Sequence, residues 1–78
     1  MQMMFFAYRR SKKELEHIYH ELCQYLSNNY KEPAHQAREK LSQRTEELYA
    51  SGLLSEKDYA HYHNLAEEYA RKMIGYHH

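Results

Sequence analysis

Histidine and glutamate residues could give this chain a metal site. Glu14 and His17 have the Glu-x-x-His spacing of carboxylate-bridged di-metal centres in helical bundles. The same spacing recurs in Glu32 and His35. His17 and His20 lie about one helical turn apart and could bind zinc as an exposed pair. On a helical wheel, however, both point away from the apolar stripe of their helix, whereas a di-metal site needs inward ligands. We therefore expect neither a metal nor a cofactor.

No serine lies beside an evident base, and the single cysteine, Cys23, is the thiol that could act as a nucleophile. His20 precedes it by three residues, but a lone thiol on a helix is more often a small residue at the edge of the core than a nucleophile. The sequence also contains neither a glycine-rich phosphate loop nor a nucleophile elbow. We expect no catalytic residues and a protein that is not an enzyme.

Residues 12–28 are predicted to form the first of three helices that would position these side chains. Ser11 and Glu14 have the spacing of a capping box, which favours a helix start at this point. Apolar residues then recur at helical intervals, and the expected inward stripe is Leu15, Ile18, Tyr19, Leu22 and Leu26. Asn28 and Asn29 favour the helix end. Residues 1–10 form an apolar and basic arm, which is either a helical extension or a separate flap.

Residues 33–51 are predicted to form the second helix, with Pro33 in its first turn, where a missing N–H leaves no hydrogen bond unmade. Its expected inward residues are Ala34, Ala37, Leu41, Thr45 and Leu48. Gly52 supplies the left-handed position that ends many helices. Ser55, with Asp58 three residues later, then starts a third helix. So short a connection predicts an antiparallel αα-hairpin.

The third helix is expected to end at Gly75 and to present a mainly aromatic face. Its inward residues are Tyr59, Tyr62, Leu65, Ala66, Tyr69 and Met73. The chain lacks valine and has one threonine, which removes most of the usual strand formers. With 78 residues it forms one domain at most. We expect a small all-α, three-helix arrangement, with residues 1–10 as the arm and residues 11–76 as a single helical domain.

The charge of the chain is zero in total but unevenly distributed. A basic collar near the start consists of Arg9, Arg10, Lys12 and Lys13. Seven basic and eleven acidic residues follow from Glu14 onward, a net charge of −4. A neutral chain offers no general electrostatic attraction for nucleic acid. A dimer could nevertheless align two collars into a basic stripe, so a dimeric nucleic-acid-binding regulator is the alternative function.

Tyrosine, with nine residues, supplies much of the large apolar surface. Its ring gains from burial while its hydroxyl still needs a polar partner, so tyrosine suits interfaces. Three helices this poor in aliphatic residues cannot cover all nine rings, and exposed aromatic clusters often mark partner sites. The predicted partner-binding residues are Phe5, Phe6, Tyr8, Arg9, Arg10, Tyr25, Tyr49 and Tyr59.

We expect the protein to be a non-enzymatic protein-interaction module, such as a small cytoplasmic regulator, adaptor or inhibitor. Its partners would be another protein, a second copy of itself, or both, since a homodimer would cover the apolar arm and enlarge a small core. Insertion of the arm into a membrane surface is the weaker alternative, because one short segment holds weakly. No stretch of the sequence approaches the roughly 20 apolar residues of a spanning helix. A lone cysteine fits a reducing, cytoplasmic compartment.

Overall fold

Three α-helices account for nearly all of the described chain. The computed structural model describes the backbone of residues 2–76 and the side chains of residues 6–76. The helices are α1 (Gln2–Ser27), α2 (Lys31–Ala50) and α3 (Glu56–Lys72), and residues 2–76 contain no strand. The predicted all-α, three-helix fold is confirmed. No helix within this range is long and apolar enough to cross a membrane.

Helix α1 runs without a break through the predicted arm. Of the two alternatives for residues 1–10, the described residues adopt the helical extension. Ser11 lies inside α1 and is only 5 % exposed, so the predicted helix start at Ser11 is wrong. A capping box and one turn inside a helix share the same three-residue spacing. Here Ala7, Ser11 and Leu53 line one depression, which shows that the upstream turn lies beside the connection between α2 and α3.

Helix α2 begins two residues earlier than predicted. Lys31 is its first residue, Tyr30 provides no side-chain cap, and Pro33 still lies in the first turn. The preceding turn ends α1 with Asn29 at φ 59° and with Tyr30 N–H donating to the Tyr25 carbonyl (2.8 Å). An asparagine tolerates this left-handed conformation better than most residues, which explains why the Asn28–Asn29 end prediction succeeded.

The corner between α2 and α3 forms as its local sequence predicts. Gly52 has φ 74°, Leu53 N–H donates to the Leu48 carbonyl (2.8 Å), and Gly52 N–H donates to the Tyr49 carbonyl (3.0 Å). These two bonds are those of a Schellman motif. Ser55 Oγ then accepts a hydrogen bond from Asp58 N–H (3.1 Å) and caps α3.

The core lies between the predicted inward faces. All five predicted residues of α2 are buried, which confirms its periodicity. The buried apolar side chains from the rest of the chain are Leu15, Ile18, Leu22, Leu54, Tyr62, Ala66 and Met73. The half-buried residues that pack around them include Tyr19, Tyr25, Leu26, Tyr59, Leu65, Tyr69 and Tyr76. Tyrosine therefore supplies much of the rim of this core, as the composition indicated.

Helix α2 packs against both other helices, whereas tyrosine side chains connect α1 and α3. The Tyr62 hydroxyl donates to Glu16, and the Tyr19 and Tyr69 hydroxyls lie 3.4 Å apart. Between α2 and the later part of the chain, Tyr49 contacts Tyr59 and His35 contacts Tyr76. Because the second pair is earlier on α2 and later in the chain, these contacts are compatible with the predicted antiparallel αα-hairpin.

Candidate partner-binding surface

An exposed aromatic ring surrounded by cations lies on the outer side of α1 near its N-terminus. Phe6 is 56 % exposed and lines a shallow depression with Arg9, Arg10 and Lys13. These three follow Phe6 by three, four and seven residues, a spacing that places all four on one side of a helix. Ser11, on the other side, is buried. We call Phe6, Arg9, Arg10 and Lys13 the Phe6 surface.

The positive charge at this surface is local. All four residues of the basic collar are exposed, and Arg9 to Lys13 span about 6 Å along the helix axis. Exposed Glu16 follows about one turn after Lys13 and Lys12, and its carboxylate accepts a hydrogen bond from the Tyr62 hydroxyl. The surface therefore presents a compact cluster of cations with acidic groups beyond it.

A second depression adjoins the Phe6 surface at the corner between α2 and α3. Ala7, Arg10 and Leu53 line it, and Leu53 is 39 % exposed. Arg10 thus borders both depressions. Sequence reasoning did not include Leu53 among the partner-binding residues. The position of Leu53 directly after Gly52 could have indicated it, because a Schellman motif often carries an apolar side chain there.

The remaining predicted residues of the N-terminal helix lie in different environments. Tyr8 is half-buried, and Tyr25 is half-buried against the core. Tyr25 follows Phe6 by nineteen residues, about 29 Å along α1, so it does not belong to the Phe6 surface. The side chain of Phe5 lies outside the described side chains.

Tyr49 and Tyr59 form a separate aromatic cluster where α2 and α3 meet. Their rings stack with centroids 4.1 Å apart and an interplanar angle of 19°, and Tyr49 is 40 % exposed. His63 stacks on Tyr59 at 5.4 Å. The Tyr59 hydroxyl donates to Glu46 (3.0 Å), and this hydrogen bond raises the pKa of Tyr59. His63 and Glu46 were not predicted at this cluster, although each lies within one turn of a predicted tyrosine.

The candidate metal ligands do not gather into a site. Arg44 donates two hydrogen bonds to Glu14, whereas exposed His17 lies 3.7 Å from Glu21. His35 Nε2 lies 2.6 Å from the carbonyl oxygen of Tyr76. Within the part of the chain that the structure describes, no group of three or more histidine, cysteine or acidic side chains could hold a metal ion.

The Phe6 surface thus combines apolar area with positive charge, a combination that can bind an anionic, partly apolar ligand. The Tyr49–Tyr59 stack offers apolar area beside a carboxylate. No family model, curated protein or solved structure matches the chain.

Proposed function

We propose that this protein is a non-enzymatic interaction module that binds a partner protein through the Phe6 surface. The observation that carries the proposal is the exposed Phe6 ring among three cationic side chains. Protein interfaces have this layout, with an apolar or aromatic centre and a polar rim. Full burial of a phenylalanine side chain contributes roughly 1.5 to 3 kcal/mol, which makes Phe6 a suitable anchor.

The proposed role is that of a small cytoplasmic regulator, adaptor or inhibitor that masks part of its partner. The Phe6 surface lines an open, shallow depression rather than an enclosed cavity, a shape that suits contact with another macromolecule. The half-buried free thiol of Cys23 supports a reducing compartment, since such a thiol is vulnerable to oxidation outside one.

A homodimer through the N-terminal segment was one expectation from the sequence. Charge argues against the Phe6 surface as its contact. Two such surfaces placed face to face would bring together two copies of the basic collar, and like charges oppose association. We therefore propose that the Phe6 surface binds a different protein and that any homodimer forms through another face.

The second candidate is a nucleic-acid-binding regulator. The exposure of all four residues of the basic collar favours it, because phosphate contacts dominate such binding. Oligonucleotide affinity that falls steeply with added salt would support this candidate. Failure to bind DNA or RNA at low salt would eliminate it.

Affinity capture from the native cell, followed by mass spectrometry, tests the proposed function. The baits are the full chain, Phe6→Ser and the control Gln24→Ser. Gln24 is exposed about five turns further along the same side of α1. We expect a partner that the full chain and Gln24→Ser capture and that Phe6→Ser loses, with all three baits equally helical by circular dichroism. Equal capture by Phe6→Ser, or no specific capture by any bait, would overturn the proposal.

A further inference from the structure

We infer that the Phe6 surface recognises a short acidic segment of a partner protein that carries one large apolar side chain. This inference rests on the proposed function and adds the chemistry of the partner. The apolar side chain would pack on the Phe6 ring, and its flanking carboxylates would meet Arg9, Arg10 and Lys13.

The positive charges of the Phe6 surface favour a negatively charged partner segment. Three cations border the Phe6 depression, and no acidic side chain lines it. Carboxylates brought close to arginine guanidinium groups form charge-assisted hydrogen bonds, which are stronger than neutral ones. A basic segment would instead place like charges against one another and would be rejected.

The small size of the Phe6 surface limits how many consecutive acidic residues of the partner it can contact. Arg9 to Lys13 span about 6 Å of helix, and exposed Glu16 follows on the same side. The chain from Glu14 onward has a net charge of −4. A nucleic acid or an anionic membrane extends beyond so small a cluster and would meet these acidic groups. A few carboxylates in a protein segment match the cluster without that repulsion.

Apolar area next to the cations supports an anchoring side chain. Beyond the Phe6 ring, Ala7 and Leu53 line the neighbouring depression, where Arg44 pairs with the carboxylate of Glu14. Arg10 borders both depressions. An apolar side chain can therefore approach either depression while an acidic neighbour reaches Arg10. Ion pairs alone would hold the partner weakly in water, since each exposed ion pair contributes roughly 0 to 1 kcal/mol.

A random peptide library displayed on phage and selected on the immobilised full chain tests the inference. Parallel selections use Phe6→Ser, the double variant Arg9→Gln/Arg10→Gln, and the control Lys57→Gln/Arg71→Gln. The control removes two exposed charges outside the Phe6 surface. We expect selected peptides in which aspartate or glutamate flanks one leucine, phenylalanine or other large apolar residue. A synthetic peptide of that sequence should bind Arg9→Gln/Arg10→Gln about tenfold more weakly than the control, a difference of about 1.4 kcal/mol.

Several results would overturn the inference. One is a selected set that is basic or uncharged, and another is no enrichment relative to Phe6→Ser. A third is equal Phe6-dependent binding of an oligonucleotide or of anionic phospholipid vesicles. A fourth is light scattering that shows a dimer lost in Phe6→Ser. If the cellular partner depends on Phe6 but binds through a non-acidic segment, the proposed function survives and this inference fails.

Discussion

Arg44 of α2 donates hydrogen bonds to both carboxylate oxygens of Glu14 on α1. Its Nε donates to one oxygen at 2.5 Å and its Nη2 to the other at 2.9 Å, while Nη1 donates to Glu47 at 2.8 Å. A two-pronged contact of this kind fixes the rotation of one helix relative to the other better than a single bond. Both side chains line the depression that Ala7, Arg10 and Leu53 also line, next to the Phe6 surface.

The interaction of Arg44 with Glu14 should stabilise the fold modestly. Because the two side chains are 35 % and 39 % exposed, water screens the pair, and we expect a coupling of about 0.5 to 1 kcal/mol. A double-mutant cycle with Arg44→Ala and Glu14→Ala in urea unfolding measures it. The exposed pair Lys72 and Glu68, 3.4 Å apart, serves as the control and should couple more weakly. Equal coupling in both cycles would contradict the special role of Arg44.

The same contact should make stability depend on acid. The hydrogen bond from Arg44 lowers the pKa of Glu14 in the folded protein. The stabilisation is therefore present above the unfolded pKa, about 4.3, and is lost as the pH falls through the lower folded value. Unfolding free energies measured from neutral pH downward should fall more steeply for the natural chain than for Arg44→Ala. If the two proteins showed parallel pH profiles of stability, the contact with Arg44 would not contribute to the acid dependence.

Alkali should destabilise the protein through Tyr62. Burial, followed by the hydrogen bond to Glu16, raises the pKa of this hydroxyl. Stability is then complete below the unfolded value of about 10 and declines as the pH rises above it, because only the unfolded chain ionises readily. Tyr62→Phe should lower the free energy of unfolding by about 0.5 to 1.5 kcal/mol at neutral pH. As the pH rises above about 10, the stability of this variant should fall less than that of the natural chain. Circular dichroism during alkaline titration measures both, and an unchanged alkaline transition would refute the assignment.

Two serines with similar sequence signals should respond differently to alanine substitution. Ser55 caps α3, so Ser55→Ala should destabilise by about 1 kcal/mol. Ser11 lies inside α1, where alanine has the better helix propensity, and Ser11→Ala should change stability by less than about 0.5 kcal/mol. Thermal unfolding of the two variants compares them directly. A larger loss from Ser11→Ala than from Ser55→Ala would place the helix start at Ser11 after all.

Gly52 should tolerate asparagine better than valine. A Cβ atom at this position would meet no other atom within 4 Å, so the penalty comes from its φ of 74° rather than from crowding. Gly52→Val should destabilise by about 1 kcal/mol or more, because β-branched residues adopt this conformation poorly. Gly52→Asn should lose less, since asparagine is the usual substitute there. Urea unfolding provides the comparison, and equal losses would point to a contact instead of backbone strain.

The sequence alone predicted the features that depend on a few neighbouring residues. Periodicity identified all five buried residues of α2, from Ala34 to Leu48. Gly52 and Ser55 located the corner because the left-handed turn and the N-cap each require a particular residue type. These interactions act within about one helical turn, so the printed sequence contains nearly all the information that they need.

Tertiary packing decided what the local pattern left ambiguous. Ser11 and Glu14 fit both a helix start and a helix interior, and the upstream turn, with Ala7 beside Leu53, belongs to one continuous α1. Likewise, Tyr49 and Tyr59 stack only because α2 and α3 meet in one particular register. Which side of α1 the hairpin covers determines that Ser11 is buried and Phe6 exposed. The sequence offered Phe6, Arg9 and Arg10 as candidates, but the exposure of a side chain depends on residues distant in the sequence, so only the folded protein shows that they share one exposed side of α1 with Lys13.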